Sequence, residues 1–447
     1  MRTAKPRRFL RRFVLLSLDG LSLQQFQAVL VMLPEMIRSI GRFHSCILDT
    51  KPLVSAQAIW AELLTGHHWF ENGCAGYSKP VRTLNALDIF GESDLLVPMK
   101  LLSPLSNLIV NIPLIKPADR SRIWLSDGST SSNKTVSPRS LDREKPFSDY
   151  QPRPFASIVE ALSKVETSLD ACLETERIRL DCALELMKRQ DWQRCFIRLS
   201  IFDHLAHLFG PSGFLSRDLQ YFDRIRAFLS DLDNKLSSLL EREREFEVCI
   251  VSCFSHVRCA GRFNLNNLLK EGRFLQLHNV AAVHAVSSDR ARRVAALNEL
   301  AGQFVFPGAL QSSEGLVATE RTVAVSPVSG GIFINDKERF SDGIVAMEDF
   351  ASTKERVANY IRWRLQSSVG NRAIICTNPQ PQNSAPTPDI VVYVDGIELY
   401  NVNDAKLSDA SCPRSTHAPE GFVYFPRKKR SHSSTITPVQ LCELLNQ

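Results

Sequence analysis

Residues Phe13–Gly20 read Phe-Val-Leu-Leu-Ser-Leu-Asp-Gly, an apolar run that ends abruptly in an acid and a glycine. A strand buried on both faces reads as such a continuous run, and α/β folds place their chemistry at the C-terminal edge of the sheet. Asp19 is therefore expected at that edge. Further strand-like runs occur at Phe43–Leu48, Cys195–Phe202, Phe246–Val251, Gly331–Ile334, Arg372–Cys376 and Ile390–Val394. Helical periodicity covers Leu23–Ile37, Ile158–Arg189, Leu215–Glu241 and Met347–Leu365. Within Tyr221–Leu240 the apolar positions Phe222, Ile225, Phe228, Leu229, Leu232, Leu236 and Leu240 recur at three and four, which buries one helix face. Strands alternating with helices predict a three-layer α/β/α sandwich with a largely parallel central sheet.

The chain has 447 residues, 44% of them hydrophobic, enough for a sizeable core. Its net charge of +6 gathers at the ends, in Arg2–Arg12 and Arg427–Arg430, which argues for basic tails rather than a nucleic-acid-binding face. The arginines before Phe13 imitate a signal peptide, but the apolar stretch is short and runs into Asp19 with no small-residue cleavage site. A first strand behind a basic leader is the simpler reading, and no segment has the apolar length of a membrane span. Eleven cysteines without CxxC spacing, several inside apolar runs, behave as core thiols of a reducing compartment, so the cytoplasm is expected. The expected organisation is a leader over 1–12, one domain over 13–425 and a basic tail over 426–447. Within the domain, a flap is expected near 115–154 and a helical insertion near 280–320.

Four segments carry the chemistry. Trp60–Gly66 reads Trp-Ala-Glu-Leu-Leu-Thr-Gly, Asp203–His207 reads Asp-His-Leu-Ala-His, and Thr416–Gly421 reads Thr-His-Ala-Pro-Glu-Gly. Ser252–His256 reads Ser-Cys-Phe-Ser-His. Asp203 and His207 are one helical turn apart, so both side chains can point to one side. His204 beside them is expected on the surface or behind that pair. In this order the segments resemble the alkaline phosphatase superfamily, specifically its type I phosphodiesterase/nucleotide pyrophosphatase and phosphomutase-like branch. Asn111–Leu114, Arg262–Leu269 and Gly330–Asn335 resemble further segments of that branch, so the resemblance runs through nearly the whole chain.

The resemblance implies two divalent metals, commonly zinc, at the edge of the sheet. It assigns Asp203, His207 and His417 to one metal, and Asp19 to the other with a Thr or Ser nucleophile and an Asp-His pair. Such metals polarise phosphoryl oxygens and lower the pKa of the nucleophilic hydroxyl. Two pieces of that pattern are altered here. The nucleophile position falls on Ala56 when aligned through Trp60, and on Ser55 when aligned through Pro52. Ser55 is then either a nucleophile or a helix N-cap. The Asp-His pair is replaced by Cys253-Phe254. Phe254 cannot bind metal, whereas Cys253 and His256 are either ligands of a rebuilt second site or structural replacements.

The altered pattern implies a divergent, catalytically impaired member with one metal site, zinc by expectation, acting as a binding or regulatory protein with a protein partner. The alternative is an active metal-dependent hydrolase or transferase of a small phosphorylated or related ester, using Ser55 or metal-bound water.

Overall fold

The computed structural model describes residues 12–41, 43–53, 55–74, 78–81, 83–89, 95–102, 107–112, 123–126, 135–137, 143–150, 158–189, 192–242, 245–277, 317–328, 330–379, 387–400, 414–426 and 433–446. The strands are β1 Arg12–Leu18, β2 Phe43–Asp49, β3 Ser78–Val81, β4 Thr83–Ile89, β5 Asn107–Val110, β6 Ile123–Ser126, β7 Thr135–Ser137, β8 Arg194–Leu199, β9 Phe246–Ser252, β10 Ser255–Arg258, β11 Gly261–Asn264, β12 Ala324–Val328, β13 Gly331–Ile334, β14 Ala373–Thr377, β15 Ile390–Val394, β16 Ile397–Tyr400, β17 Ser415–Ala418, β18 Glu420–Pro426 and β19 Thr435–Ile436. The helices are α1 Leu23–Leu30, α2 Pro34–Ile40, α3 Ala56–Thr65, α4 Trp69–Asn72, α5 Ile158–Ser163, α6 Val165–Arg189, α7 Ile201–Phe209, α8 Phe222–Glu241, α9 Leu265–Glu271, α10 Met347–Val369 and α11 Pro438–Asn446.

A nine-stranded sheet runs in the order β19-β2-β18-β9-β1-β8-β5-β6-β7. Only β18 and β7 run against the rest, so the sheet is largely parallel. β1 lies between β8 and β9, and its alternate side chains feed two cores. Val14, Leu16 and Leu18 join the core under α1, α2, α6, α7 and α8, while Phe13 and Leu15 join the core under α3 and α11. That is why this strand reads as an unbroken apolar run rather than an alternating one. The fold is the expected three-layer α/β/α sandwich. A third core surrounds a separate four-stranded antiparallel sheet, β12-β13-β15-β14, backed by α9 and α10. The runs Gly331–Ile334, Arg372–Cys376 and Ile390–Val394 belong to this smaller sheet and not to the main one.

Several boundaries differ from the sequence pattern for identifiable reasons. The helix expected over Leu23–Ile37 is two helices. Pro34 begins α2, and the Asp233 carboxylate of α8 accepts the N–H groups of Glu35 and Met36 at 3.0 and 2.7 Å. The strand expected over Cys195–Phe202 stops at Leu199, because Ile201 and Phe202 already belong to α7. Both are fully buried, and an apolar run alone does not separate a strand from a buried helix.

The flap expected near 115–154 lies partly outside the described residues, and its described strands β6 and β7 extend the main sheet. The basic leader and the insertion near 280–320 fall almost wholly outside them. The tail expected over 426–447 is corrected for its last part. β19 pairs with β2, and α11 buries Leu441, Cys442 and Leu445 in the core that also holds Ile59, Leu63 and Leu64 of α3. Among the described residues, no helix is long and apolar enough to cross a membrane.

Candidate metal centre

The end of β1 is locked against its neighbours before any site is formed. Asp19 N–H donates to Leu199 O at 3.2 Å, Gly20 N–H to Phe254 O at 3.1 Å, and Asp203 N–H to Asp19 O at 3.0 Å. Gly20 has φ +106°, and a Cβ there would collide with the Asp203 backbone, so glycine is what lets β1 end against the first turn of α7. α7 thereby presents Asp203 and, one turn on, His207. Beyond β9 the chain turns into β10, which pairs with β17 as an antiparallel ribbon in which His256 lies directly opposite His417.

These four side chains converge, with their ligand atoms within 4.8 Å of one another. Asp203 Oδ1 lies 2.8 Å from His256 Nε2, 3.1 Å from His417 Nε2 and 3.3 Å from His207 Nε2. The Nε2 atoms of His207 and His417 are 3.3 Å apart. Asp203, His207 and His256 are buried and His417 is partly so. Burial alone would raise the Asp203 carboxyl, but the three imidazoles outweigh it and hold the acid well below the usual carboxylate range. Burial, followed by the neighbouring His207, pushes His256 down to about 3, so its ring is neutral near pH 7. Phe254 covers the centre from one side, its ring 4.4 Å from that of His417 between centroids.

The donor set fits a divalent cation. His256 Nδ1 is 3.0 Å from Ser415 Oγ, and that hydroxyl donates to Ala206 O at 2.9 Å. Its one hydrogen is used there, so it accepts from Nδ1–H and leaves Nε2 of a neutral His256 with a lone pair. In that tautomer the Nε2 lone pair and the Asp203 oxygen, 2.8 Å apart, face the same centre and can share a cation; with the proton on Nε2 they form a direct hydrogen bond. Three imidazoles and one carboxylate are donors that zinc accepts. Asp203, His207 and His417 thus come together as expected. His204, on the same helix, is not in the group, and burial pushes it down to about 4.

Two expected ligands are not in this group, and one residue expected elsewhere is. The Asp19 carboxylate is occupied by protein. Oδ2 accepts from Arg198 Nε at 2.6 Å, and Oδ1 accepts from Ser17 Oγ at 2.6 Å and from Cys253 N–H at 3.0 Å. A guanidinium therefore supplies the positive charge that the carboxylate needs, in a pair that is almost wholly buried. Cys253 stays a core thiol. Burial, then the Asp19 charge, pushes it well above the usual thiol value, which disfavours the thiolate that metals bind. His256 belongs with Asp203 rather than with Cys253, because β10 turns it toward α7.

Ser55 occupies the N-cap position of α3 without making a side-chain cap bond, and its buried Oγ has no hydrogen-bond partner among the described residues. Ala56 is the first helical residue and is fully buried. Sequence reasoning missed Arg198. Its signal was a charge inside the apolar strand Arg194–Leu199, where burial demands a partner.

No protein-family model and no curated protein matches the chain. Solved structures do. The chain is similar to phosphonoacetate hydrolase from Sinorhizobium meliloti 1021, crystallised with phosphonoacetate, at 10% identity and a TM-score of 0.57, covering 98% of this chain and 95% of that one. It is likewise similar to wild-type alkaline phosphatase PafA at 11% identity and a TM-score of 0.56, covering 99% and 97%. At such identities the likeness is one of fold alone: the chain shares the fold of these two enzymes.

Proposed function

We propose that this chain is a divergent member of the type I phosphodiesterase/nucleotide pyrophosphatase and phosphomutase-like branch, catalytically impaired, with a single divalent metal centre and a binding or regulatory role. The observation that carries this reading is the Asp19–Arg198 pair. A two-metal centre needs Asp19 free as a ligand, and here both its oxygens are taken by Arg198, Ser17 and Cys253 N–H. A second cation would have to displace a buried guanidinium from its carboxylate counter-charge, an exchange that costs several kcal/mol.

The remaining centre, Asp203 with His207, His256 and His417, suits zinc by its nitrogen-rich donor set. Zinc held there would supply a fixed positive charge at the edge of the sheet, toward which an anionic group is drawn. Without a second cation, the attacking and leaving oxygens of a phosphoryl transfer are no longer held from both sides, a loss of several kcal/mol and about a thousandfold or more in rate. A small phosphate, phosphonate or related ester remains the ligand class that this fold best accommodates, with a protein partner reading the bound state. The cytoplasm is the proposed location, supported by ten cysteines among the described residues that form no disulfide there.

A second reading keeps the chain as an active hydrolase of such an ester, with Ser55 as nucleophile. It is favoured by one observation, the buried and uncommitted Ser55 Oγ. Metal analysis of protein purified without chelator, paired with turnover of an aryl phosphodiester, separates the two. One zinc per chain with turnover far below the usual range of about 1–1000 per second is expected. Two metals per chain with turnover inside that range would overturn the impaired reading.

A further inference from the structure

We infer that His256 is a fourth protein ligand, held in register by Ser415, and that it closes the coordination sphere so that the bound cation clamps α7 to the β10–β17 ribbon. This rests on the single-metal reading above. A tetrahedral zinc site with bonds of about 2.0–2.1 Å has ligand-to-ligand edges of about 3.3 Å. The edges measured from Asp203 Oδ1 are 2.8, 3.1 and 3.3 Å, and that between His207 and His417 is 3.3 Å. All four donor atoms lie within 4.8 Å of one another, and with each of them bound to one cation no tetrahedral corner is left for water or substrate. Structural zinc sites have that form, whereas catalytic sites keep three protein ligands and an open position.

Ser415 makes His256 a competent ligand. Its hydroxyl hydrogen goes to Ala206 O, its lone pair receives Nδ1–H, and Nε2 is left as the donor aimed at the centre. Ser415 also joins the two halves of the site. It lies on β17, two residues before His417, and its acceptor Ala206 lies on α7, the residue before His207. It is a positioning residue for the ligand from β10 and for the helix that supplies the other pair.

The closed sphere is tested by loading the metal-free full-length chain with cobalt(II), whose visible spectrum reports coordination number. One cobalt per chain is expected, with the intense bands of a tetrahedral site, unchanged by azide or inorganic phosphate. His256→Gln should open a corner, and the same anions should then shift the bands. Ser415→Ala should weaken zinc binding about 10–100-fold in competition with a chromophoric chelator, the usual cost of losing a ligand's outer hydrogen bond, and Ser415→Thr should restore it. Wild-type bands that move with azide would overturn the closed sphere and leave the single-metal reading standing. Failure of the wild-type chain to bind cobalt or zinc would overturn both. An unchanged zinc affinity in Ser415→Ala would remove Ser415 from the assignment. The wild-type spectrum needs no variant to fold.

Discussion

Arg198 Nε donates to Asp19 Oδ2 across 2.6 Å, and neither side chain has appreciable contact with solvent. Removing one partner of such a pair strands the other as an uncompensated buried charge. Arg198→Met is therefore expected to lower unfolding free energy by about 3–5 kcal/mol in urea titrations of metal-free protein. Asp19→Asn combined with Arg198→Met should recover most of that loss, since no charge is then left unpaired. Equal destabilisation of the single and double variants would mean that the pair is not the source.

Restoring the replaced Asp-His pair should not by itself restore a second metal. Cys253→Asp with Phe254→His places another carboxylate beside Asp19 while Arg198 still occupies it. Metal content is expected to stay at one per chain in that double variant and to rise toward two only when Arg198→Ser is added. Elemental analysis decides this, and two metals in the double variant alone would show that the guanidinium yields to a cation.

Removing the metal should loosen the molecule in one place. A cation that binds only the folded chain adds about 4 kcal/mol of stability at a free concentration about a thousandfold above Kd. Chelation is expected to lower Tm and to speed hydrogen exchange in α7, β10 and β17, with little change in β1 or β9. Uniformly faster exchange across the sheet would argue against a local clamp.

Ser55→Ala distinguishes the two functional readings through stability as well as rate. A buried hydroxyl without a partner costs about 1–3 kcal/mol, so its removal should leave stability unchanged or raise it. Turnover of an aryl phosphodiester should change little. Near-total loss of a substantial wild-type activity would instead identify Ser55 as the nucleophile.

The main sheet was legible because burial on both faces writes itself as unbroken apolar strands, and Asp203, His207 and His417 were legible because they sit in ordered short segments. Arg198 and His256 were not placed, because their roles depend on pairing rather than on local pattern. Nothing near His256 states that β10 will lie against β17, and only that register puts it opposite His417. Arg198 is a charge between the buried apolar residues Ile197 and Leu199, and its partner is 179 residues away. That three of the expected strands form a separate antiparallel sheet was not legible for the same reason. Strand-forming runs such as Ile390–Val394 announce a strand but not the sheet it joins.

The centre draws on α7, β10 and β17, and Asp203 and His417 are separated by 214 residues in sequence. Contacts between such distant segments bear the entropy of closing long loops and form late in folding. No partial structure of this chain holds the four donors together, so a nascent or truncated chain offers the metal at best a pair of ligands on one helical turn. On the proposed single-metal reading, metal uptake would act as a checkpoint on completed assembly: the cation would arrive last, and its retention would mark chains in which the C-terminal strands have docked.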